Sequence, residues 1–127
     1  MSRILVVDDQ VDAADGLGML LDALGHETEV AYQGADAVSV TQQFAPHIVF
    51  MDLNMPILDG FAAALAIRAT DGGSAPFLIA LSGLSGADTR ARVEASGFDA
   101  YIQKPADTNA LLAIVQYLAE RRRESPH

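Results

Sequence analysis

Short apolar runs alternate along this chain with segments in which apolar residues recur at helical spacing. Arg3 to Val7, Thr28 to Tyr32, Ile48 to Met51, Phe77 to Leu81 and Ala100 to Gln103 are brief and rich in β-branched or other apolar side chains, which predicts five strands. Leu17, Leu20, Leu21 and Leu24 fall at i, i+3, i+4, i+7, and Leu111, Ile114, Val115 and Leu118 repeat that spacing, so each set lines one face of a helix. Weaker stripes run through Ala37, Val40 and Phe44, and through Phe61, Ala64 and Leu65. Ser85 with Asp88 three residues on forms a capping-box pattern that opens a further helix, Gly97 suits its end, and Asp107 is placed to cap the last one. Gly25, Gly34 and the Asp71-Gly72-Gly73 stretch with Pro76 mark the remaining boundaries.

Five strands each followed by a helix give (βα)5, and right-handed crossovers then require a parallel sheet covered by helices on both faces. The expected fold is doubly wound α/β, a five-stranded parallel sheet in the flavodoxin-like order 2-1-3-4-5. At 127 residues the chain is read as one domain, 1-127, with a core over about 3-120 and a short charged tail over 121-127. It contains no internal repeat, low-complexity segment or linker.

Composition narrows the chemistry. The absence of cysteine removes disulfides, thiol nucleophiles and Cys-ligated metals. The longest apolar run, Phe61 to Ile67, falls well short of the roughly 20 residues that span a bilayer, and the N-terminus lacks a secretory signal pattern. A cytoplasmic protein without a membrane partner is expected. A net charge of −9 repels phosphate backbones, so no direct nucleic-acid partner is expected. Arg121 to Arg123 read as a solvated helix end. Every basic residue but one is arginine, which leaves Lys104 as the single lysine.

In doubly wound sheets ligands bind beyond the carboxyl ends of the strands. Asp8 and Asp9 follow the first strand and Asp52 follows the third. With central strands about 4.8 Å apart, these three carboxylates converge. A single Asp there is ordinarily a helix cap; three together repel, which raises a pKa or calls for a cation. Oxygen donors with room for water suit magnesium, with manganese as the alternative ion, and magnesium sites of this kind are completed by phosphate oxygens. Ser82, with Gly83, follows the fourth strand, where a lone serine is usually a turn residue. Lys104 and Pro105 follow the fifth, and an ammonium retained in an otherwise arginine-only chain suits a phosphoryl oxygen. Nucleophile, metal site, hydroxyl donor and charge clamp together make a phosphoryl-transfer set. No Walker A, GxGxxG or GxSxG pattern occurs. His26, His47 and His127 lie before strands or in the tail and read as structural or solvated, and the scattered methionines read as core filler.

Val-Val-Asp8-Asp9, Met-Asp52-Leu-Asn54-Met-Pro56 with Asp59-Gly60, Leu-Ser82-Gly83 and Tyr101-Ile-Gln-Lys104-Pro105, in that order, resemble the receiver domains of two-component response regulators. The resemblance covers about residues 3 to 120 and points to a stand-alone, chemotaxis-type receiver. It implies that Asp52 accepts a phosphoryl group from a sensor histidine kinase or a histidine phosphotransfer protein. It implies further that Asp9, Asp52 and the Asn54 carbonyl ligate magnesium with Asp8 acting largely through water, that Lys104 and Ser82 contact the phosphoryl group, and that Tyr101 is the aromatic that turns inward when Ser82 moves. An unidentified downstream protein partner and a phosphorylation-dependent homodimer go with it. Ala106 and Gln10 depart from the common pattern, where a larger apolar residue and a third acid are usual. Two alternatives stay open: a receiver fragment of a larger response regulator or hybrid kinase, and an aspartyl-phosphate phosphatase, whose usual DxD pattern Asp8-Asp9-Gln10 does not match. The leading expectation is a signalling phosphoacceptor and not a turnover enzyme.

Overall fold

A computed structural model describes residues 2–53, 60–70, 76–83, 87–104 and 107–124. Strands β1 (Arg3–Val7), β2 (Glu27–Ala31), β3 (Ile48–Asp52), β4 (Phe77–Ser82) and β5 (Ala100–Gln103) alternate with helices α1 (Val11–Ala23), α2 (Gly34–Phe44), α3 (Gly60–Thr70), α4 (Ala87–Ala95) and α5 (Thr108–Glu124). All strand pairs are parallel and the sheet order is β2-β1-β3-β4-β5, the doubly wound, flavodoxin-like arrangement expected from the alternation.

Strand residues alternate between faces. Leu5, Val7, Val49, Met51, Leu78 and Ala80 pack on one side with Ala37 of α2, Ala63, Ala64 and Ile67 of α3 and Val93 of α4. Ile4, Val6, Ile48, Phe50, Ile79 and Leu81 pack on the other with Ala14 and Leu21 of α1 and Leu111 and Val115 of α5. Helices cover both faces, so the central strands are apolar throughout and read as unbroken runs.

Several boundaries differ from the sequence reading. β2 runs one residue earlier than Thr28 to Tyr32, because its register pairs Arg3 with Glu27 and Val7 with Ala31. At this edge of the sheet Glu27 and Glu29 reach solvent at no cost in burial, while Tyr32 leaves the ladder and its hydroxyl donates to Asp15 Oδ1 at 2.5 Å. β3 and β4 each extend one residue further, taking in Asp52 and Ser82. α5 continues through Glu124, so the arginine run falls on its last turns, the helix end read from the sequence, and the helix reaches past the expected core limit near residue 120. Leu24 and Leu65 are exposed, not core, and Met19 is exposed as well, while Gly18 and Ala63 are buried on their helices. Asp107 caps α5 as expected, its Oδ1 accepting the Asn109 N–H at 3.0 Å. His26 and His47 are structural: their Nδ1 atoms accept the Ser2 and Arg3 amides at 3.1 and 3.0 Å. Ser85 lies outside the described residues. Among the described residues no helix is long and apolar enough to cross a membrane.

Candidate functional site

The site follows from register. Val7 pairs with Met51, so Asp8 and Asp52 come next to each other at the ends of adjacent strands. Asp52 pairs with Leu81 and Ser82 pairs with Gln103, which carries the row on to Lys104. The Lys104 amide donates to the Ser82 carbonyl at 2.7 Å and the Leu53 amide to the Leu81 carbonyl at 3.0 Å, so the ladder continues past the last strand residues.

Asp8, Asp52 and Ser82 are buried, and Asp9 is exposed at the rim. Asp8, Asp9 and Asp52 each offer an oxygen within 4.8 Å of the others. Lys104 Nζ lies 3.3 Å from Asp52 Oδ1 and 3.8 Å from Asp8 Oδ2, so one ammonium faces two buried carboxylates. The Asp8 N–H is spent on the Ala31 carbonyl at 3.1 Å, and Asp8 Oδ1 accepts the Gln10 N–H at 3.0 Å, which fixes the carboxylate's orientation. Burial pushes the Asp8 carboxyl above its usual range, and the Asp52 carboxylate adds to the rise, against the opposing pull of the Gln10 amide and the Lys104 charge.

A hard cation fits this donor set: all-oxygen, anionic, with one ligand exposed so that water and a further group reach the same point. Gly83 is exposed, and among the described residues a Cβ there would meet nothing within 4 Å. Gly60 packs against the backbone at the end of β3. A Cβ at that position would stand 2.5 Å from the Asp52 carbonyl oxygen and 2.8 Å from Leu53 Cα, so the start of α3 sits directly against the chain leaving Asp52.

Five residues singled out in the sequence thus meet at the carboxyl ends of four neighbouring strands: Asp8, Asp9, Asp52, Ser82 and Lys104. Asn54, Pro56, Asp59, Pro105 and Ala106 lie outside the described residues. Tyr101 is on β5, half-buried against the core face that includes Val93 and Phe98, with the Arg90 guanidinium 5.8 Å from its ring centre. The sequence reading missed the main-chain role of Gln10. Its signal was present, since Asp commonly accepts an amide two residues on.

The family model described as the response regulator receiver domain matches residues 4–116. The transcriptional regulatory protein PrrA of Mycobacterium leprae (strain TN) is 37% identical over 120 residues, covering 94% of this chain and 51% of that protein. An uncharacterized 14.6 kDa protein of Leptolyngbya boryana is 34% identical over 113 residues, covering 89% of this chain and 86% of that one. The solved structure of the Francisella response regulator 1452 receiver domain superposes with a TM-score of 0.85 at 26% identity, covering 96% of this chain and 99% of that one. The chain spans about half the length of the first curated relatives it matches.

Proposed function

The chain belongs to the response regulator receiver domain family, and from that membership we propose that it takes a phosphoryl group onto Asp52 from the phosphohistidine of a sensor histidine kinase or a histidine phosphotransfer protein. An oxygen of Asp52 attacks phosphorus in line with the leaving imidazole nitrogen. The new O–P bond makes an acyl phosphate, the P–N electron pair returns to the ring, and that nitrogen takes up a proton. Lys104 is placed to follow the phosphoryl oxygens as the charge moves onto Asp52, and Ser82, next to it in the row, to donate its hydroxyl to one of them.

Asp8, Asp9 and Asp52, with the main-chain carbonyl of Asn54, would hold magnesium or manganese, which supplies positive charge to three acids and to the incoming phosphoryl oxygens. The observation that carries the reading is the Asp8–Asp9–Asp52 oxygen cluster with the Lys104 ammonium 3.3 Å from Asp52. Phosphorylation then draws Ser82 and Lys104 to the new charge and biases the end of β4, which is the signal to a downstream protein. On this reading the chain is a cytoplasmic signalling phosphoacceptor and not a turnover enzyme. A second reading, the receiver part of a larger regulator, is supported by relatives about twice its length. It leaves the chemistry at Asp52 unchanged.

The test is intact-mass analysis after incubation with a small phosphodonor. One phosphoryl adduct is expected with magnesium, and none with chelator or in Asp52→Asn. An equal adduct in Asp52→Asn overturns the assignment.

A further inference from the structure

Helix α4 is weakly embedded. Of its described side chains only Val93 is buried, and a cleft of about 250 Å3, lined by Arg90, Val93, Phe98 and Tyr101 among others, separates it from β5. Its C-terminal end is nonetheless firmly tied. Gly97 adopts φ 90, its amide donates to the Glu94 carbonyl at 3.1 Å, and the Phe98 amide donates to the Val93 carbonyl at 3.3 Å, a Schellman turn whose flanking residues Val93 and Phe98 pack together in one core cluster.

Beneath that turn Arg68, near the end of α3, donates from Nε to the Gly97 carbonyl at 2.8 Å and from Nη1 to the Pro76 carbonyl at 2.7 Å. Its Nη2 reaches Asp99 Oδ2 at 2.6 Å, and that same oxygen accepts the Leu78 amide at 2.9 Å. One guanidinium therefore joins α3, the start of β4 and the α4–β5 turn by charge-assisted bonds, the strong kind. Nearer its start, α4 makes a different sort of contact. Arg90, an exposed residue, places its guanidinium 5.8 Å from the centre of the Tyr101 ring, while Arg92, closer to the turn, lies 3.9 Å over Phe61 of α3. Contacts of solvent-facing arginines with rings are weak and readily exchanged.

We propose that α4 is a lever pivoted on the Arg68–Asp99 clasp, and that Arg90 is the brake that holds Tyr101 in its present half-buried position. At 1.5 Å per residue Arg90 lies roughly 10 Å along the helix from Gly97, so a small rotation about the clasp displaces Arg90 far more than the turn itself. α4 begins four residues beyond Gly83 in sequence, so its start, and not its anchored end, is the part of the helix joined most directly along the chain to the end of β4. Lifting Arg90 uncovers the Tyr101 ring and widens the cleft that Tyr101 already lines. The trigger rests on the reading of Asp52 as phosphoacceptor; the pivot and the brake are properties of the unphosphorylated chain.

Hydrogen-exchange mass spectrometry of the α4 segment, with the Tyr101 ring signals followed by NMR, tests this in wild type, Arg90→Gln and Asp99→Asn. Intact mass is recorded alongside. Without phosphodonor, Arg90→Gln should speed exchange over the first half of α4 by about two- to fivefold, as loss of one exposed cation–π contact allows. It should also move the Tyr101 signals towards their phosphorylated positions and leave the yield of adduct unchanged. Asp99→Asn should spread the faster exchange to the C-terminal turn. If unphosphorylated Arg90→Gln matches wild type in both α4 exchange and Tyr101 signals, the brake is wrong; if Asp99→Asn leaves the C-terminal turn as protected as wild type, the pivot is wrong. Absence of adduct in wild type would sink the phosphoacceptor reading instead, and would leave the comparison of unphosphorylated proteins standing.

Discussion

Asp8 is held between opposing influences: burial and the neighbouring Asp52 carboxylate favour its neutral form, the Gln10 amide and Lys104 favour the anion, and burial prevails. A carboxyl raised in this way binds its proton more tightly in the folded than in the unfolded chain. Its contribution to stability is therefore full below the unfolded value and is lost as pH rises through the folded one. Asp8→Asn removes that titration. In chelator, denaturant unfolding should show the variant gaining on wild type as pH rises from 3.8 towards neutrality; a difference that stays flat with pH would contradict a raised Asp8 carboxyl. Gly60 makes the opposite case, a residue with no side chain that the site cannot do without. Because a Cβ there would meet backbone at 2.5 and 2.8 Å, and backbone cannot rotate aside, Gly60→Ala should lose about 1–3 kcal/mol in the same unfolding assay. It should also slow phosphoryl uptake, since what it displaces is the chain at Asp52.

Helix ends show what a local sequence can and cannot encode. α1 and α4 both finish in glycine at positive φ, 94 at Gly25 and 90 at Gly97, whereas α2 finishes on Ala45 at φ 51, a conformation that costs a residue with a Cβ. Ala45→Gly should accordingly raise stability by about 0.5–1 kcal/mol, and Gly97→Ala should lower it by more than that, because its Cβ would also crowd Arg68 Cγ at 2.9 Å. Equal and opposite changes of the melting midpoint would mean that backbone conformation alone decides, with no part for Arg68. Both glycine ends were legible, as were the five strands, because a strand covered on both faces leaves an unbroken apolar run. β2 slipped by one residue because an edge strand is only partly apolar and its register is set by pairing with β1, which no local pattern records. The exposure of Leu24 and Leu65 was hidden for a related reason: helical spacing marks a stripe, and only the packed neighbours decide how wide that stripe is. The Arg68 clasp left no trace in the sequence, since its partners Pro76, Gly97 and Asp99 stand 8, 29 and 31 positions away. Asp8, Asp9, Asp52, Ser82 and Lys104 were legible, by contrast, because a parallel sheet turns four separate strand ends into one row.

Across the whole molecule, the fold concentrates three acids at a point where one ammonium faces two of them, an arrangement that like-charge repulsion should leave below its attainable stability. A cation that binds only the folded cluster should restore it by RT ln(1 + [L]/Kd), roughly 1.4 to 2.7 kcal/mol at ten to a hundred times Kd. Thermal melts should register this as a rise of several degrees with magnesium. Asp52→Asn should raise the midpoint in chelator and shrink the magnesium shift, the two changes having opposite signs. A variant less stable in chelator that keeps the whole shift would mean that these acids are caps and not a metal site. The central claim, that the strand-end row exists to place a phosphoryl group on one carboxylate, is tested most directly by locating the group. The protein is incubated with acetyl phosphate and magnesium, the acyl phosphate is trapped by borohydride reduction, and the modified peptide is sequenced by tandem mass spectrometry. The expected result is a single modified residue, Asp52, with Asp8 and Asp9 intact. Modification at Asp8 or Asp9 with Asp52 unmodified would contradict the account.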